Sequence, residues 1–488
     1  MKKLKLSLEN LDNCFPSNFT PEQIARGKTL FYKQLSLELH KYYNGKMQTL
    51  PKAGIWGFNW FNVWYTPGVS SVSTSIREDI ATSFDLSNRG NLVAVVSDST
   101  RVLGDGDCGA SGGLGVMEGK ALLMKYLADV DAVPLCINNR DKDGKPDPEK
   151  LIDFVKMVSP SFGAINLEDI SHPNCYRVLD ELRENCEIPV WHDDAQGTAC
   201  VILAGIINSL RLAEKRLSDC KIVLLGSGAS NTCVSRFLIL SGANPKNITL
   251  FNSKGGLHKN RTDIQQDKRL YQQWELCQST NPLCINDIPT AMKDADILIA
   301  LSTPGPDVVK PDWIQVMNKK PIVFVCANPI PEIYPYSAKE AGAFIVATGR
   351  GDFPNQVNNS LGFPGILKGT LLTRASKITD NMAIAAAKAL ADFVPQNSLQ
   401  PDYILPLMTE EAVFAEVAEA VAQQAIKEGV HGINFEPGEV RDITMRQILH
   451  TRGLIEKMGI LEPPIDLLQN VLERVINMVG DIPPSVGK

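Results

Sequence analysis

The sequence lacks the cysteine and histidine patterns of a disulfide-stabilised or zinc-binding protein. Its eleven cysteines are an odd number, and none of them belongs to a Cys-x-x-Cys pair. The six histidines show no spacing that would place two ligands on one zinc ion. Neither a disulfide framework nor a structural zinc site is therefore predicted.

A basic surplus and long apolar runs are also missing. The formal net charge is -6, and no apolar stretch approaches the length that crosses a membrane. The first residues, Met-Lys-Lys-Leu-Lys-Leu, are basic, but no hydrophobic signal region follows them. We therefore expect no nucleic-acid partner, no membrane partner and a reduced, cytoplasmic compartment.

The first half of the chain alternates short apolar strands with helices. With 488 residues, two or three domains with cores of their own are expected. Helices are predicted around residues 21–43, 117–127 and 148–158, and strands at residues 91–97, 132–137 and 164–167. This alternation indicates parallel α/β layers.

A second series of strands follows an apolar helix predicted at residues 197–213. Its strands are predicted at residues 221–225, 248–251, 297–301, 322–326 and 344–347. Short apolar strands that end in polar loops are typical of a doubly wound nucleotide-binding domain. Residues 464–479 carry a one-sided apolar stripe, which either packs on the chain's own body or forms a subunit contact.

The expected fold class is therefore α/β with several domains. The predicted parts are a helical N-terminal arm (1–45), an α/β domain (46–196), a Rossmann-type NAD(P)-binding domain (197–430) and a helical C-terminal extension (431–488). The apolar helix at residues 197–213 would cross between the two α/β domains.

A glycine-containing turn follows the first strand of the second series. Gly226-Ser-Gly-Ala-Ser-Asn231 stands between that strand and a predicted helix. The first glycine permits a tight turn, and Gly228 lets the backbone approach a pyrophosphate at the helix N-terminus. Asn231 stands where glycine or alanine normally allows close helix–strand packing. We predict cofactor contacts from Gly226, Gly228, Ala229, Ser230 and Asn231.

The end of the next strand bears on the choice between NAD and NADP. An acidic residue there would bind the adenine ribose hydroxyls of NAD and repel the additional phosphate of NADP. This sequence has neutral Asn252, followed by Ser253 and Lys254. NAD or NADP is therefore accommodated, with NADP somewhat favoured, unless the segment is only a turn with a solvated lysine.

Two acidic pairs each follow a predicted strand or precede a helix. They are Glu168-Asp169 and Asp193-Asp194. Adjacent carboxylates repel each other unless a cation neutralises them, and hard oxygen ligands suit Mg²⁺ or Mn²⁺ better than zinc. Either pair alone is more often a solvated turn, so a metal site requires that the two pairs meet.

The sequence resembles the malic enzyme family, and in particular its compact bacterial-type branch. The resemblance covers roughly residues 60–428 and rests on several motifs in register. They are Tyr65-Thr-Pro-Gly-Val69, Leu103-Gly-x-Gly-x-x-Gly109, Val116-Met-Glu-Gly-Lys120, Asn166-Leu-Glu-Asp-Ile170, His192-Asp-Asp-Ala-Gln-Gly-Thr-Ala199, Ala327-Asn-Pro-Ile-Pro-Glu332 and Ala347-Thr-Gly-Arg-x-Asp-Phe-Pro-Asn-Gln-Val-Asn-Asn359.

The resemblance implies a reaction and a role for each matching residue. Malate would be oxidised and decarboxylated to pyruvate and CO₂, with NADP or NAD and Mg²⁺ or Mn²⁺. Implied metal ligands are Glu168, Asp169 and Asp194; Lys120 is the implied general base, Tyr65 the general acid, and Asp193 a group that orients or relays for Lys120. Arg101, Asn328 and Asn359 would grip the substrate carboxylates, and further cofactor contacts are expected from Ser302, Thr303, Asn328 and Asn358.

Each role has a plainer alternative in the sequence. Tyr65 would be a turn-packing aromatic, Lys120 a solvated helix residue, Arg101 a partner of Asp105 or Asp107, and Asn359 the cap of a turn beside Gly362. The chain also departs from the family in an acidic, glycine-rich segment at residues 104–115, at Asn231 and Asn252, and in a tail after about residue 432. These departures bear on cofactor preference and assembly.

Three other functions remain open at this stage. A malolactic-type enzyme would use the same residues but release lactate. A 2-hydroxy-acid oxidoreductase without decarboxylation would need neither the acidic pairs nor Tyr65, and a catalytically inactive homologue would not need to keep them. The resemblance to the malic enzyme family also implies a homodimer.

Overall fold

The computed structural model describes residues 6–102, 104–460 and 462–480. Its contacts divide the chain into two compact units. One consists of Met1–Leu50 with Gly453–Lys488, and the other of Pro51–Arg452. Every residue predicted for the site belongs to the second, larger unit.

The described residues form ten strands and nineteen α-helices. The strands are β1 (Leu92–Ser97), β2 (Asp131–Cys136), β3 (Ala164–Leu167), β4 (Val190–His192), β5 (Ile222–Leu225), β6 (Ile248–Asn252), β7 (Gly255–Gly256), β8 (Ile297–Ala300), β9 (Ile322–Val325) and β10 (Ile345–Thr348). The helices are α1 (Pro21–Tyr43), α2 (Trp60–Trp64), α3 (Val69–Glu78), α4 (Ser83–Leu86), α5 (Leu114–Ala128), α6 (Pro148–Val158), α7 (Asn174–Asn185), α8 (Thr198–Ala213), α9 (Ala229–Leu240), α10 (Thr262–Gln266), α11 (Tyr271–Ser279), α12 (Ile288–Met292), α13 (Pro311–Gln315), α14 (Pro335–Glu340), α15 (Phe363–Leu372), α16 (Asp380–Phe393), α17 (Ala412–Glu428), α18 (Glu439–Lys457) and α19 (Ile465–Gly480).

Two sheets organise the larger unit. The first has the strand order β2-β1-β3-β4 and is parallel; the second has the order β10-β9-β8-β5-β6-β7, and in it β7 runs antiparallel to β6. The chain leaves β7 at one edge and returns as β8 on the other side of β5. Ligands bind at such a reversal of strand order, outside the carboxyl ends of the strands. The predicted fold class, α/β with a Rossmann-type sheet, is confirmed.

Helices cover both faces of the sheets, so most strands are apolar over most of their length. β5, β8 and β9 are buried at every residue. The predicted strands agree with these to within a single residue at either end. α1 and α6 also have the predicted bounds, because each begins with a proline that follows a capping side chain, Thr20 or Asp147.

The apolar helix predicted between the two α/β domains is α8, which packs against α9 and α16. The largest buried cluster joins its side chains to Val93 of the first sheet and Leu224 of the second. The expectation that no apolar stretch approaches the length that crosses a membrane is wrong by length and composition: with the π-helical turn before it, this segment (Asp193–Ala213) is long and apolar enough. However, 78% of its most apolar window is buried inside the protein. That burial is what a core helix shows. The predicted domain boundaries stay predictions.

The smaller unit contains a pair of packed helices, α1 and α19. Phe31 and Leu35 of α1 are buried together with Val471 and Val475 of α19. The apolar stripe predicted at residues 464–479 therefore packs on the chain's own N-terminal helix.

We expect Phe31→Ala to lower the free energy of unfolding of this unit by about 3–5 kcal/mol, because the substitution leaves a cavity between the helices. Tyr32→Ala, which removes an exposed neighbouring ring, is the matched control. Chemical denaturation followed by circular dichroism gives both values. Equal losses for the two variants would contradict this packing.

Candidate active site

Lys120 and two acidic side chains meet in a buried cluster at the carboxyl ends of β3 and β4. The Lys120 Nζ atom lies 3.1 Å from Glu168 Oε1 and donates a short hydrogen bond to Asp193 Oδ2. The same nitrogen is 3.3 Å from Asn359 Oδ1 and lies over the ring of Phe363. Lys120 is therefore no solvated helix residue: α5 directs it into the interior.

The two acidic pairs predicted from the sequence come together in this cluster. One carboxylate oxygen from each of Glu168, Asp169 and Asp194 lies within 4.8 Å of the others. β3 and β4 are parallel neighbours, so the residues that follow them meet at one edge of the sheet. The backbone amide of Asp169 also donates to Asp194 Oδ2 at 2.8 Å.

The charges of the cluster fit a divalent cation. Glu168, Asp169, Asp193 and Asp194 bring four carboxylates to one ammonium, that of Lys120. Burial raises the pKa of Glu168, as do the charges of Asp194, Asp193 and Asp169, while Lys120 opposes them. Buried carboxylates in this excess are stabilised by a cation with hard oxygen coordination such as Mg²⁺ or Mn²⁺.

Burial and the carboxylates act in opposite directions on Lys120. Burial lowers the pKa of its ammonium, but Asp193, Glu168 and Asp194 outweigh burial and raise that pKa above its usual value. Without a cation the lysine is therefore protonated. Positive charge beside the carboxylates would weaken this effect and ease deprotonation.

The turn Asp193–Gly197 fixes the orientation of Asp193. Its Oδ1 atom accepts a hydrogen bond from Trp191 Nε1 at 3.1 Å. A Cβ atom on Gly197 would lie 1.9 Å from the same oxygen, so a larger residue there would displace the Asp193 carboxylate. π-helical turns of this kind are frequent at functional sites.

The predicted nucleotide turn has room for a ligand at its backbone. Gly226 has a φ of 92°, and a Cβ atom there would lie 2.4 Å from the carbonyl oxygen of Leu301. A Cβ atom on Gly228 would meet no heavy atom within 4 Å. This open space lies where α9 begins with Ala229, so the turn fits a pyrophosphate at a helix N-terminus.

Asn231 stabilises the turn through its side chain. Its Nδ2 atom donates to the carbonyl oxygens of Leu225 at 2.8 Å and Gly226 at 2.9 Å. Asn231 in place of glycine or alanine therefore adds two hydrogen bonds to the turn and does not disrupt it. Ser230 Oγ donates to the carbonyl oxygen of Asp194 at 2.8 Å, which connects the nucleotide turn to the acidic cluster.

The remaining predicted cofactor residues differ in what they contact. The Cα atom of Ser302 would lie 3.3 Å from a Cβ on Gly226, and its amide donates to Glu332 Oε1 at 2.8 Å. Thr303 is exposed. Asn358 caps a short helical turn by accepting from the amide of Ser360, and Asn252, Ser253 and Lys254 form the turn between β6 and β7.

The predicted substrate residues differ in their distance from the cluster. Asn359 contacts Lys120 directly. The exposed Arg101 donates its amide to the carbonyl oxygen of Asp169 at 3.0 Å, and Asp107, one of its alternative partners, is paired with Arg140 at 2.7 Å. Asn328 is exposed and lies beside the backbone of Gly349.

Tyr65 is not in hydrogen-bonding contact with the cluster. Its side chain is 72% exposed, and its hydroxyl makes no hydrogen bond to any described residue. The predicted general acid therefore lies on the surface of an aromatic segment. Its ring is also not packed into a turn, as the plainer alternative required.

Glu332 was not predicted as a site residue, although it ends one of the motifs. It is fully buried and accepts hydrogen bonds from the amides of Ser302 at 2.8 Å and Ala327 at 3.0 Å. It therefore joins the loops that follow β8 and β9 beside the nucleotide turn. Its position at the end of the Ala327–Glu332 motif was the available signal.

Comparisons with known proteins agree with this geometry. Residues 46–183 match the family profile "Malic enzyme, N-terminal domain" and residues 195–426 match "Malic enzyme, NAD binding domain". The bifunctional malic/malolactic enzyme of Bacillus subtilis (strain 168) is 40% identical over 415 residues, which are 85% of this chain and 98% of that protein.

Two further relatives are similar over most of their length. The NAD-dependent malic enzyme of Geobacillus stearothermophilus is 41% identical over 390 residues, 80% of this chain and 78% of that protein. The crystal structure of the Entamoeba histolytica malic enzyme is 55% identical, with a TM-score of 0.95 over 98% of this chain and 99% of that one. Together with the lysine–carboxylate cluster beside the nucleotide turn, these matches show that the chain belongs to the malic enzyme family.

Proposed function

We propose that this enzyme converts L-malate to pyruvate and CO₂, with Mg²⁺ or Mn²⁺ and with NADP in preference to NAD. The observation that supports it best is the cluster of buried Lys120, Glu168, Asp169 and Asp193 with the partly exposed Asp194, joined to the nucleotide turn by Ser230. Such a cluster provides a proton acceptor and a cation site next to a bound dinucleotide.

The chain's own residues would move the protons. Lys120 takes the proton from the C2 hydroxyl of malate, and Asp193, held by Trp191, keeps the Nζ atom in position. Asn359, beside the same nitrogen, and Arg101, next to Asp169, are suited to bind the substrate carboxylates. Tyr65 delivers a proton to C3 after decarboxylation.

The two bound groups would supply the rest of the chemistry. A nicotinamide cofactor held at the turn Gly226–Asn231 would supply the hydride acceptor for C2. A divalent cation held by Glu168, Asp169 and Asp194 supplies Lewis acidity to the oxygen on C2.

The proposed preference for NADP rests on the end of β6. Asn252 carries no charge, and the exposed Lys254 brings a cation to the same turn. A 2′-phosphate would therefore meet no negative charge at position 252, where an acidic residue would repel it.

One assay tests the reaction and its main alternative. Purified enzyme is mixed with L-malate and Mg²⁺ or Mn²⁺, with NAD or NADP added separately, and reduced nicotinamide and pyruvate are both followed. We expect equal amounts of the two products, none after chelation and faster formation with NADP. Lactate without net cofactor reduction would instead support malolactic activity, which the name of the Bacillus subtilis relative makes the second candidate. The absence of any product would overturn the proposal.

We expect Asp194→Ala to weaken metal binding by at least about 100-fold, because even outer partners of metal ligands contribute about 10–100-fold. The dissociation constant of Mn²⁺, measured by electron paramagnetic resonance, tests this. Asp153→Ala, which removes an exposed carboxylate on α6, is the control. Equal Mn²⁺ affinity in both variants would remove Asp194 from the proposed ligand set.

We also propose a homodimer in the cytoplasm. The segment around α2 exposes large aromatic side chains, including Trp56 at 71% and Phe58 at 82%. Extensive exposed apolar surface is typical of an interaction site, and eleven free thiols suit a reducing compartment. Sedimentation equilibrium should give twice the chain mass of 53.5 kDa, and a monomer would contradict the proposal.

A further inference from the structure

Arg261 lies behind the turn that follows β6 and is almost completely buried. Its Nη1 atom donates to Asn252 Oδ1 at 3.1 Å and to the carbonyl oxygen of Gly256 at 3.1 Å. Its Nε and Nη2 atoms each donate to one oxygen of Asp263, both at 2.8 Å. The guanidinium therefore joins the end of β6 to the loop before α10.

These contacts fix which end of the Asn252 amide is available to a ligand. Oδ1 accepts from Arg261 and also from the backbone amide of Lys254 at 3.0 Å. Two donors meet at this atom, so it must be the oxygen, since an amide nitrogen would face both donors without an acceptor. The NH₂ group donates to no described residue and is left for a ligand.

The position of this amide corresponds to the ribose end of a dinucleotide. β6 is the parallel neighbour of β5, and the carbonyl oxygen of Phe251 accepts from the amide of Gly226 at 3.0 Å. Asn252 therefore stands next to the pyrophosphate turn, at the carboxyl edge where the adenine ribose binds in this fold.

We propose that Arg261 is the positioning residue for cofactor choice: it orients Asn252 so that an N–H donor, rather than an acceptor, faces the ribose 2′ position. This inference rests on the proposed function and names the residue behind its cofactor preference. A 2′-phosphate has only acceptor oxygens, whereas a 2′-hydroxyl also needs an acceptor for its own proton.

Arg261 has a second effect on the same subsite, through charge. Asp263 also forms an ion pair with the turn, since its Oδ2 atom lies 3.6 Å from Lys254 Nζ. The bidentate pair with Arg261 offsets much of the negative charge of Asp263, so Asp263 holds the cation of Lys254 less strongly than an unpaired carboxylate would. Without Arg261, Lys254 would pair more strongly with Asp263 and would attract a phosphate less.

The test compares two adenosine nucleotides that differ only in the 2′-phosphate. Dissociation constants of adenosine 2′,5′-bisphosphate and AMP are measured by calorimetry with the full chain, and their ratio isolates the 2′ subsite without catalysis. We expect Arg261→Gln to reduce the preference for the bisphosphate about tenfold or more, as the loss of a charge-assisted contact does. Lys259→Gln removes an equal charge from an exposed position of the same loop and should leave the ratio unchanged.

A second pair of variants separates positioning from support of the fold. Asn252→Asp keeps an acceptor for Arg261 but turns a second oxygen towards the 2′ position, so the preference should fall at least as far. Arg261→Gln should lower the preference less in an Asn252→Ala background than in the wild type, because Arg261 acts partly through Asn252. The decrease that remains in that background measures the charge effect on Lys254, and an equal decrease in both backgrounds would contradict positioning through Asn252.

The outcomes are distinct. If Arg261→Gln leaves the ratio of the two dissociation constants unchanged, even though both nucleotides bind more weakly, the inference is overturned. If Arg261→Gln does not fold, Asn252→Asp decides: a preference that survives in it would overturn the inference. Wild-type protein that binds AMP more tightly than the bisphosphate would refute the proposed NADP preference, whereas the change of the ratio between variants tests Arg261 itself.

Discussion

Lys120→Ala is expected to lower the turnover of malate by about two to four orders of magnitude, the usual contribution of a general base. The Nζ atom is the basic group in contact with Asp193, Glu168 and Asn359. Without it the C2 hydroxyl keeps its proton, and hydride transfer from C2 becomes slow. Steady-state kinetics with saturating malate, metal and cofactor gives the change.

Two further variants control for charge and for folding. Lys120→Arg keeps the cation among the carboxylates but cannot lose its proton at ordinary pH, so it should be as slow as Lys120→Ala. Lys125→Ala removes a lysine from the outer end of the same helix, where it pairs with Asp129 and Asp131, and should turn over malate like the wild type. Turnover close to wild type in Lys120→Arg would show that Lys120 supplies charge and not basicity.

Local patterns were sufficient to predict most of the fold. Most strands of both sheets are short, mainly apolar and bounded by turn residues, so local patterns predict their ends. The bounds of α1 and α6 follow from a capping side chain and a proline. Strands β4 and β7 were not predicted, because three and two residues are too few for a pattern.

The metal trio shows the limit of sequence reasoning for the site. The sequence presents two acidic pairs that are 25 positions apart, and spacing alone does not bring them together. Their meeting depends on β3 and β4 being parallel neighbours, which is a long-range property of the sheet. Glu332 was missed for a similar reason, since its partner Ser302 lies 30 positions earlier on another loop. Arg261 contacts Asn252 across only 9 positions, but that contact depends on how the loop after β7 folds back on β6.

The role that the sequence assigns to Tyr65 agrees least with the position that the structure gives it. The motif Tyr65–Val69 assigns it an acid's role through the family resemblance, yet its hydroxyl is exposed and contacts none of the cluster. The flanking rings of α2 are exposed as well. The surroundings of an exposed side chain are not encoded by any local pattern, so sequence reasoning had no means to anticipate this placement.

Tyr65→Phe should therefore be the most informative single substitution. We expect it to lower malate turnover by about two to four orders of magnitude, because the enol formed by decarboxylation would lack its proton donor. The ring is retained, so the exposed apolar surface does not change. Tyr126→Phe removes the hydroxyl of another partly exposed tyrosine and serves as the control.

The step that Tyr65 serves can be measured separately from oxidation. Enolisation of pyruvate exchanges its methyl protons with D₂O, and proton NMR follows this exchange in the presence of metal and reduced cofactor. Tyr65→Phe should lose the exchange along with turnover, because both require a proton at C3. Normal exchange with slow turnover would move the defect to an earlier step, and normal values for both would show that the acid at C3 is another group.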